Sequence, residues 1–198
     1  MIEVEIKLPV KDKDSLENKL TAMGFVKGKL VRESDIYFNS ENYDLRERDS
    51  ALRIRTCEDA ENESVVTTIT YKGPKLDDVS MTRKEVETEV SDASAFLEIF
   101  KGMGFYPLAP VRKLRQYYHM GEMTACVDRV EHLGDFLELE VLVSKEEERE
   151  LALQQIEDVL KELGHDKAET TRTSYLSMLQ KKEVQVHYDL SLEREDKL

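Results

Sequence analysis

The chain has 198 residues, and 42 Asp and Glu against 29 Lys and Arg give it a formal net charge of −13. That balance argues against nucleic acid as a partner, because phosphate backbones call for an excess of Lys and Arg, although a local basic pocket for a small polyanion can coexist with an acidic exterior. No stretch is apolar enough to span a membrane and charged residues begin at Glu3, so a cytoplasmic, globular protein with a real core is expected, with no membrane partner.

Taken in order, the chain opens with a strand over 2–8, in which Glu3, Glu5 and Lys7 share one face and Ile2, Val4, Ile6 and Leu8 the other. Pro9 and Lys11-Asp12-Lys13 mark a break. Asp14 or Ser15 can cap a helix carrying Leu16, Leu20 and Met23, which Gly24 ends. Residues 31–39 read as a strand and 40–50 as a polar loop. Ala51 opens a strand with Arg53 and Arg55 on one face; 58–63 is an acidic turn. Val65 to Lys72 is a strand ending at Gly73-Pro74. From Arg83 a strand sets Arg83, Glu85 and Glu87 on one face. Ser91 or Asp92 then caps a helix with Phe96, Leu97 and Phe100, closed by Gly102 and Gly104. Strands follow at 111–119, with Lys113, Arg115 and Tyr117 on one face, at 123–130, with Asp128, and at 136–143, with Glu138 and Glu140 opposite Leu137, Leu139 and Val141. A helix over about 146–163 precedes a short one at 173–182. Residues 1–182 are expected to form a single domain, and 183–198 a charged C-terminal extension, either an added strand or a mobile segment.

Met23-Gly24-Phe25 recurs 80 residues on as Met103-Gly104-Phe105, and at the same offset Val31 matches Val111, Tyr37 matches Tyr117 and Glu5 matches Glu85. Two strand-helix-strand halves are expected. About eight mostly antiparallel strands tend to close. Amphipathic helices are at hand to cover the apolar faces from outside, which would turn the charged faces into a polar lumen. Ordinary solvated faces are the competing reading of the same i, i+2 charge pattern. For a lumen, the basic set (Lys7, Arg53, Arg55, Lys72, Arg83, Lys113, Arg115) and the acidic set (Glu3, Glu5, Glu85, Glu87, Asp128, Glu138, Glu140) are of similar size, as buried charges require.

Arg and Lys in number suit phosphate oxygens, and clustered carboxylates without His or Cys suit hard cations such as Mg²⁺ or Mn²⁺. Glycine-rich phosphate loops, zinc-protease helices and Ser-His-Asp arrangements are absent. His119, His132, His165 and His187 are dispersed, and Cys57 and Cys126, far apart, read as buried thiols rather than a disulfide.

The set Glu3-x-Glu5-x-Lys7, Asp35-x-Tyr37-Phe38, Ala51-Leu-Arg-Ile-Arg55, Thr70-Tyr-Lys-Gly-Pro-Lys75, Arg83-x-Glu85-x-Glu87, Arg112-Lys-x-Arg115, Asp128 and Gly134-Asp-Phe-Leu-Glu-Leu-Glu140 resembles, in order over about residues 1–180, the CYTH superfamily of triphosphate tunnel metalloenzymes. Its class IV adenylyl cyclase and thiamine-triphosphatase-like branch is the most similar. The resemblance implies an α+β fold, an eight-stranded antiparallel closed β-barrel with helices outside. It implies ATP or another triphosphate as partner with Mg²⁺ or Mn²⁺, and it leaves a homodimer open. Transferred roles give Glu3, Glu5, Asp128, Glu138 and Glu140 to metal. Lys7, Arg53, Arg55, Lys72, Arg83, Lys113 and Arg115 go to phosphate, and Lys7, Glu85, Glu87 and Asp128 to catalysis. Arg129, where the family commonly has an acidic residue, is expected to alter the field near the metal. The implied reaction is ATP to 3′,5′-cyclic AMP and pyrophosphate. The alternatives are hydrolysis of tripolyphosphate, thiamine triphosphate or nucleoside triphosphate, and a non-catalytic polyphosphate- or nucleotide-binding module.

Overall fold

Strand alternation decides the architecture. The computed structural model describes residues 2–183, so the expected extension falls, from 184 on, outside the described residues. In chain order the elements are β1 (Ile2–Val10), α1 (Lys13–Ala22), β2 (Val26–Asn39), β3 (Ala51–Asp59), β4 (Val65–Lys75), β5 (Arg83–Glu89), α2 (Ala93–Gly102), β6 (Tyr106–Pro107), β7 (Val111–Met120), β8 (Met123–Val130), β9 (Gly134–Val143) and α3 (Arg149–Glu162). A last helix, α4, covers residues 175–183. β1 continues through Pro9 to Val10, and Lys7 O on the β5 side accepts from Thr171 N at 2.8 Å, so the proline's missing N–H falls where no strand pairs.

Eight strands close into a barrel in the order β1-β9-β8-β7-β2-β3-β4-β5, with every neighbouring pair antiparallel and β5 returning to β1; the two-residue β6 adds to the end of β2 outside the ring. The side chains facing outward are the apolar ones. Ile2, Val4, Ile6 and Leu8 of β1 join Ala125 and Val127 of β8 and Leu137, Leu139 and Val141 of β9. Against them pack Leu16 and Leu20 of α1 and Ile156, Val159 and Leu160 of α3. The hydrophobic core therefore lies outside the barrel, between its wall and the helices, and the lumen is left to charge.

The repeat is real in three dimensions. Mapping β1, β2, β3, β4 onto β5, β7, β8, β9 preserves every neighbour relation around the ring. α1 and α2 are capped alike, by Asp12 accepting from Ser15 N (3.0 Å) and by Asp92 accepting from Ala95 N (2.9 Å). Asp12 thus caps α1, in place of the expected Asp14 or Ser15, because the helix starts at Lys13. Each helix ends on a glycine with positive φ, 97° at Gly24 and 86° at Gly104, a conformation that a side chain would strain. Among the described residues no helix is long and apolar enough to cross a membrane. Cys57 is half-buried and Cys126 buried, both as free thiols.

Candidate active site

The barrel encloses a cavity of about 1040 Å³. Every residue assigned from the sequence to metal, phosphate or catalysis lines it, except Asp128. The ladder registers bring them together. Glu5 stands opposite Glu140 and Lys7 opposite Glu138 across β1 and β9, Lys72 opposite Glu85 across β4 and β5, and Glu3 opposite Arg83 across β1 and β5.

The cations are already held by carboxylates. Lys7 Nζ lies 2.8 Å from Glu138 and 3.4 Å from Glu5. Arg115 is bidentate to Asp128, with both bonds 2.6 Å, and also donates to Glu138. Lys72 bridges Glu3, at 2.9 Å, and Glu85. Arg55 forks onto Asp35 (2.6 and 2.8 Å), which also takes Lys113 at 3.2 Å, while Glu33 takes Lys113 at 2.8 Å and Arg55 at 3.1 Å. Arg53 reaches Thr70 Oγ1 at 3.3 Å, and the Thr70 hydroxyl donates to Glu87 at 2.5 Å.

These pairings set the proton affinities. Burial raises the pKa of Glu138, but Lys7 and Arg115 pull it well below the carboxylate range. Burial likewise raises Glu3, and Lys72 with a hydrogen bond from Glu85 brings it down to about 2. Burial, with the Glu3 carboxylate, pushes Glu85 up to about 8 against the pull of Lys72. Burial raises Glu5 against the pull of Lys7, with Glu138 and Glu3 adding to the rise. Burial, with Glu3, raises Glu140 well above the usual range.

Carboxylates directly opposite one another on a sheet repel, so the Glu5–Glu140 face is short of positive charge. Glu5 Oε1 is buried and accepts no hydrogen bond. Glu3, Glu5, Glu138 and Glu140 are therefore the residues that could hold a hard divalent cation. Among the described residues, no three His, Cys, Asp or Glu side chains are gathered at metal-binding distance, since the same carboxylates hold lysine and arginine instead.

Three sequence expectations change. Asp128, fully buried, points inward but does not line the cavity, because Arg115 and the Tyr175 hydroxyl, at 3.0 Å, occupy its carboxylate; it orients Arg115. Arg83 lines the cavity, but its guanidinium donates to Asp49 O (2.6 Å) and Gly73 O (2.8 Å), fastening the 40–50 loop to the barrel. Arg129 follows an inward residue, so it points outward, exposed, and pairs with Asp135 at 2.9 Å without reaching the lumen. Sequence reasoning gave neither Glu33 nor Asp35 a role in the site, although both are buried and hold the lumen cations Arg55 and Lys113. Tyr117, placed on the face of Lys113 and Arg115 but given no role, lines the cavity with its hydroxyl 3.1 Å from Glu33, and Tyr175 of α4 was missed. The i, i+2 spacing of Glu33, Asp35 and Tyr37 carried the signal for the first two.

The CYTH domain profile matches residues 1–175 of this chain. The chain belongs to the CYTH family. One relative of this CYTH protein, from Methanocaldococcus jannaschii and named a candidate adenylate cyclase, is 41% identical over 178 residues, 90% of this chain and 98% of its own. The solved PH1819 protein of Pyrococcus horikoshii superposes with a TM-score of 0.83 at 35% identity, covering 91% of this chain and 99% of that one. A Hippeastrum protein, described as an adenylyl cyclase candidate with a dominant triphosphatase activity, shares the CYTH fold. Its TM-score is 0.63 at 19% identity, covering 91% and 95% of the two chains.

Proposed function

We propose that this protein is a divalent-metal-dependent enzyme that takes a triphosphate into the tunnel and converts ATP to 3′,5′-cyclic AMP and pyrophosphate. The observation that carries the reading is the lumen itself. Lys7, Arg53, Arg55, Lys72, Lys113 and Arg115 converge on one cavity with an acidic face at Glu3, Glu5 and Glu140. Six cations in a closed barrel can grip a chain of phosphates, the arginines bidentately. The volume, at the upper end for small-molecule sites, supports a nucleotide over a bare phosphate chain.

In this reading Glu3, Glu5, Glu138 and Glu140 hold Mg²⁺ or Mn²⁺, which supplies Lewis-acid stabilisation of phosphate charge. Lys7 of β1 and Arg115 of β7, which meet at Glu138, align the phosphates and stabilise charge on the leaving pyrophosphate. Asp128 keeps the Arg115 fork planar to the lumen. Asp35 and Glu33 do the same for Arg55 and Lys113, and the closed wall limits the water that would compete with the ribose 3′-hydroxyl.

A second reading, triphosphate hydrolysis, is favoured by the activity attributed to the Hippeastrum protein, because one cage serves both reactions. The purified protein incubated with ATP and, separately, with tripolyphosphate, in Mg²⁺ or Mn²⁺, decides it. Cyclic AMP with pyrophosphate supports the first reading and orthophosphate the second. Metal-dependent binding without turnover would overturn both.

A further inference from the structure

The segment after α3 crosses one end of the tunnel. Thr171 N donates to Lys7 O at 2.8 Å, stitching the segment to β1. Arg172 donates to Ser80 O (3.1 Å) and Asp77 O (2.7 Å), anchoring it to the loop before β5. α4 then begins at Tyr175, which is 6% exposed and lines the cavity. Its ring lies 4.2 Å from Lys7 Nζ and 5.7 Å from Lys113 Nζ, and packs edge-on against Phe136 with centroids 5.0 Å apart. Its hydroxyl donates to Asp128 Oδ2 at 3.0 Å, and Asp128 in turn holds Arg115. One side chain therefore touches or backs three lumen cations that come from two different strands.

We propose that Tyr175 is a positioning residue of the tunnel: its ring face and its hydroxyl fix Lys7 directly, and Arg115 through Asp128, in the orientation that receives a triphosphate. The inference rests on the triphosphate reading and adds to it that α4 is part of the phosphate grip. An ammonium over an aromatic face in a desolvated site is held electrostatically and loses rotamer freedom. An O–H bonded to a buried carboxylate fixes that carboxylate's plane, and with it the guanidinium fork. Burial raises the hydroxyl's pKa, so it remains a donor.

The test is calorimetric binding of inorganic tripolyphosphate to the full chain and to Tyr175→Phe and Tyr175→Leu, each well below its melting temperature. Phe keeps the ring and loses the bond to a charged acceptor, so binding about tenfold weaker is expected. Leu loses both contacts, and about a hundredfold is expected. The partial recovery by Phe is the feature that a merely structural role would not produce, since such a role lowers melting temperature and leaves the affinity of the folded protein unchanged. Because the chain has no tryptophan, Tyr175→Trp places a single fluorophore at this position, and its emission should shift as tripolyphosphate is added. Wild-type protein that does not bind tripolyphosphate would overturn the triphosphate reading and this inference with it. Wild-type binding that both variants match would overturn the inference alone.

Discussion

Glu138→Gln should make the metal-free protein bind tripolyphosphate more tightly. Glu138 holds Lys7 at 2.8 Å and also accepts from Arg115, so in the free protein it occupies two cations that a phosphate would use. Glutamine keeps the shape and removes the charge. A phosphate shared by Lys7 and Arg115 would sit about 5 Å from the former carboxylate, where two unit charges repel by about 3 kcal/mol at an effective dielectric constant near 20. Even half of that is a tenfold change in affinity. The fold should survive, because Lys7 retains Glu5 and Arg115 retains Asp128. Opening a buried pair costs about 3 kcal/mol, and a chain of this size then melts roughly 6–12 °C lower. The assay is titration calorimetry of tripolyphosphate in EDTA, with melting followed in parallel. Affinity that is unchanged or weaker in a variant that remains folded would refute the idea that carboxylates and phosphates compete for the same cations.

Glu5→Ala should abolish metal-dependent turnover while leaving circular dichroism unchanged; retained activity would sink the assignment of Glu5 to metal. Glu140→Gln removes one of two facing carboxylates, so the metal-free protein should melt higher, and added Mg²⁺ or Mn²⁺ should stabilise it less than wild type. Glu85 is raised to about 8 in the fold from an ordinary 4.5, so between those values the folded state binds the extra proton and the unfolded state does not. Its contribution is fully present below pH 4.5 and is lost as pH rises through 8. In EDTA, denaturant titrations of wild type minus Glu85→Gln should therefore show a loss of stability across that window, and a flat difference would contradict it. Leu160→Ala, at the contact of α3 with the wall, should cost about 2–5 kcal/mol by urea unfolding and spare the tripolyphosphate affinity of the folded protein.

Much of this was legible from alternation alone. Glu3, Glu5 and Lys7 point one way because the strand period is two, and the apolar residues between them demanded a cover that α1 and α3 provide. The repeat was legible from Met23-Gly24-Phe25 and Met103-Gly104-Phe105 because both helix ends need a left-handed glycine. Depth was not legible. Asp128 faces inward as expected, but Arg115 directly across the ladder takes its carboxylate before the cavity can, and register is a tertiary property. Arg83 was read by its charge, whereas its guanidinium is held by the carbonyls of Asp49 and Gly73 and by the Asp49 carboxylate at 3.2 Å, contacts set by how the 40–50 loop folds back on the barrel. Tyr175 belongs to a helix whose periodicity says nothing about which end of a barrel it meets.

The inside-out barrel divides the labour of the chain by parity. Along β1 the odd positions carry chemistry and the even ones carry cohesion, and β9 answers with Glu138 and Glu140 against Leu137, Leu139 and Val141. Inserting or deleting one residue in a wall strand would exchange the two sets, turning charge into the core and aliphatics into the lumen. Such a tunnel can be re-tuned by point substitution along its length, but it can change in size and shape only from its rims, at the 40–50 loop, the turn before β5 and the segment leading into α4. New substrates would be expected to be accommodated there.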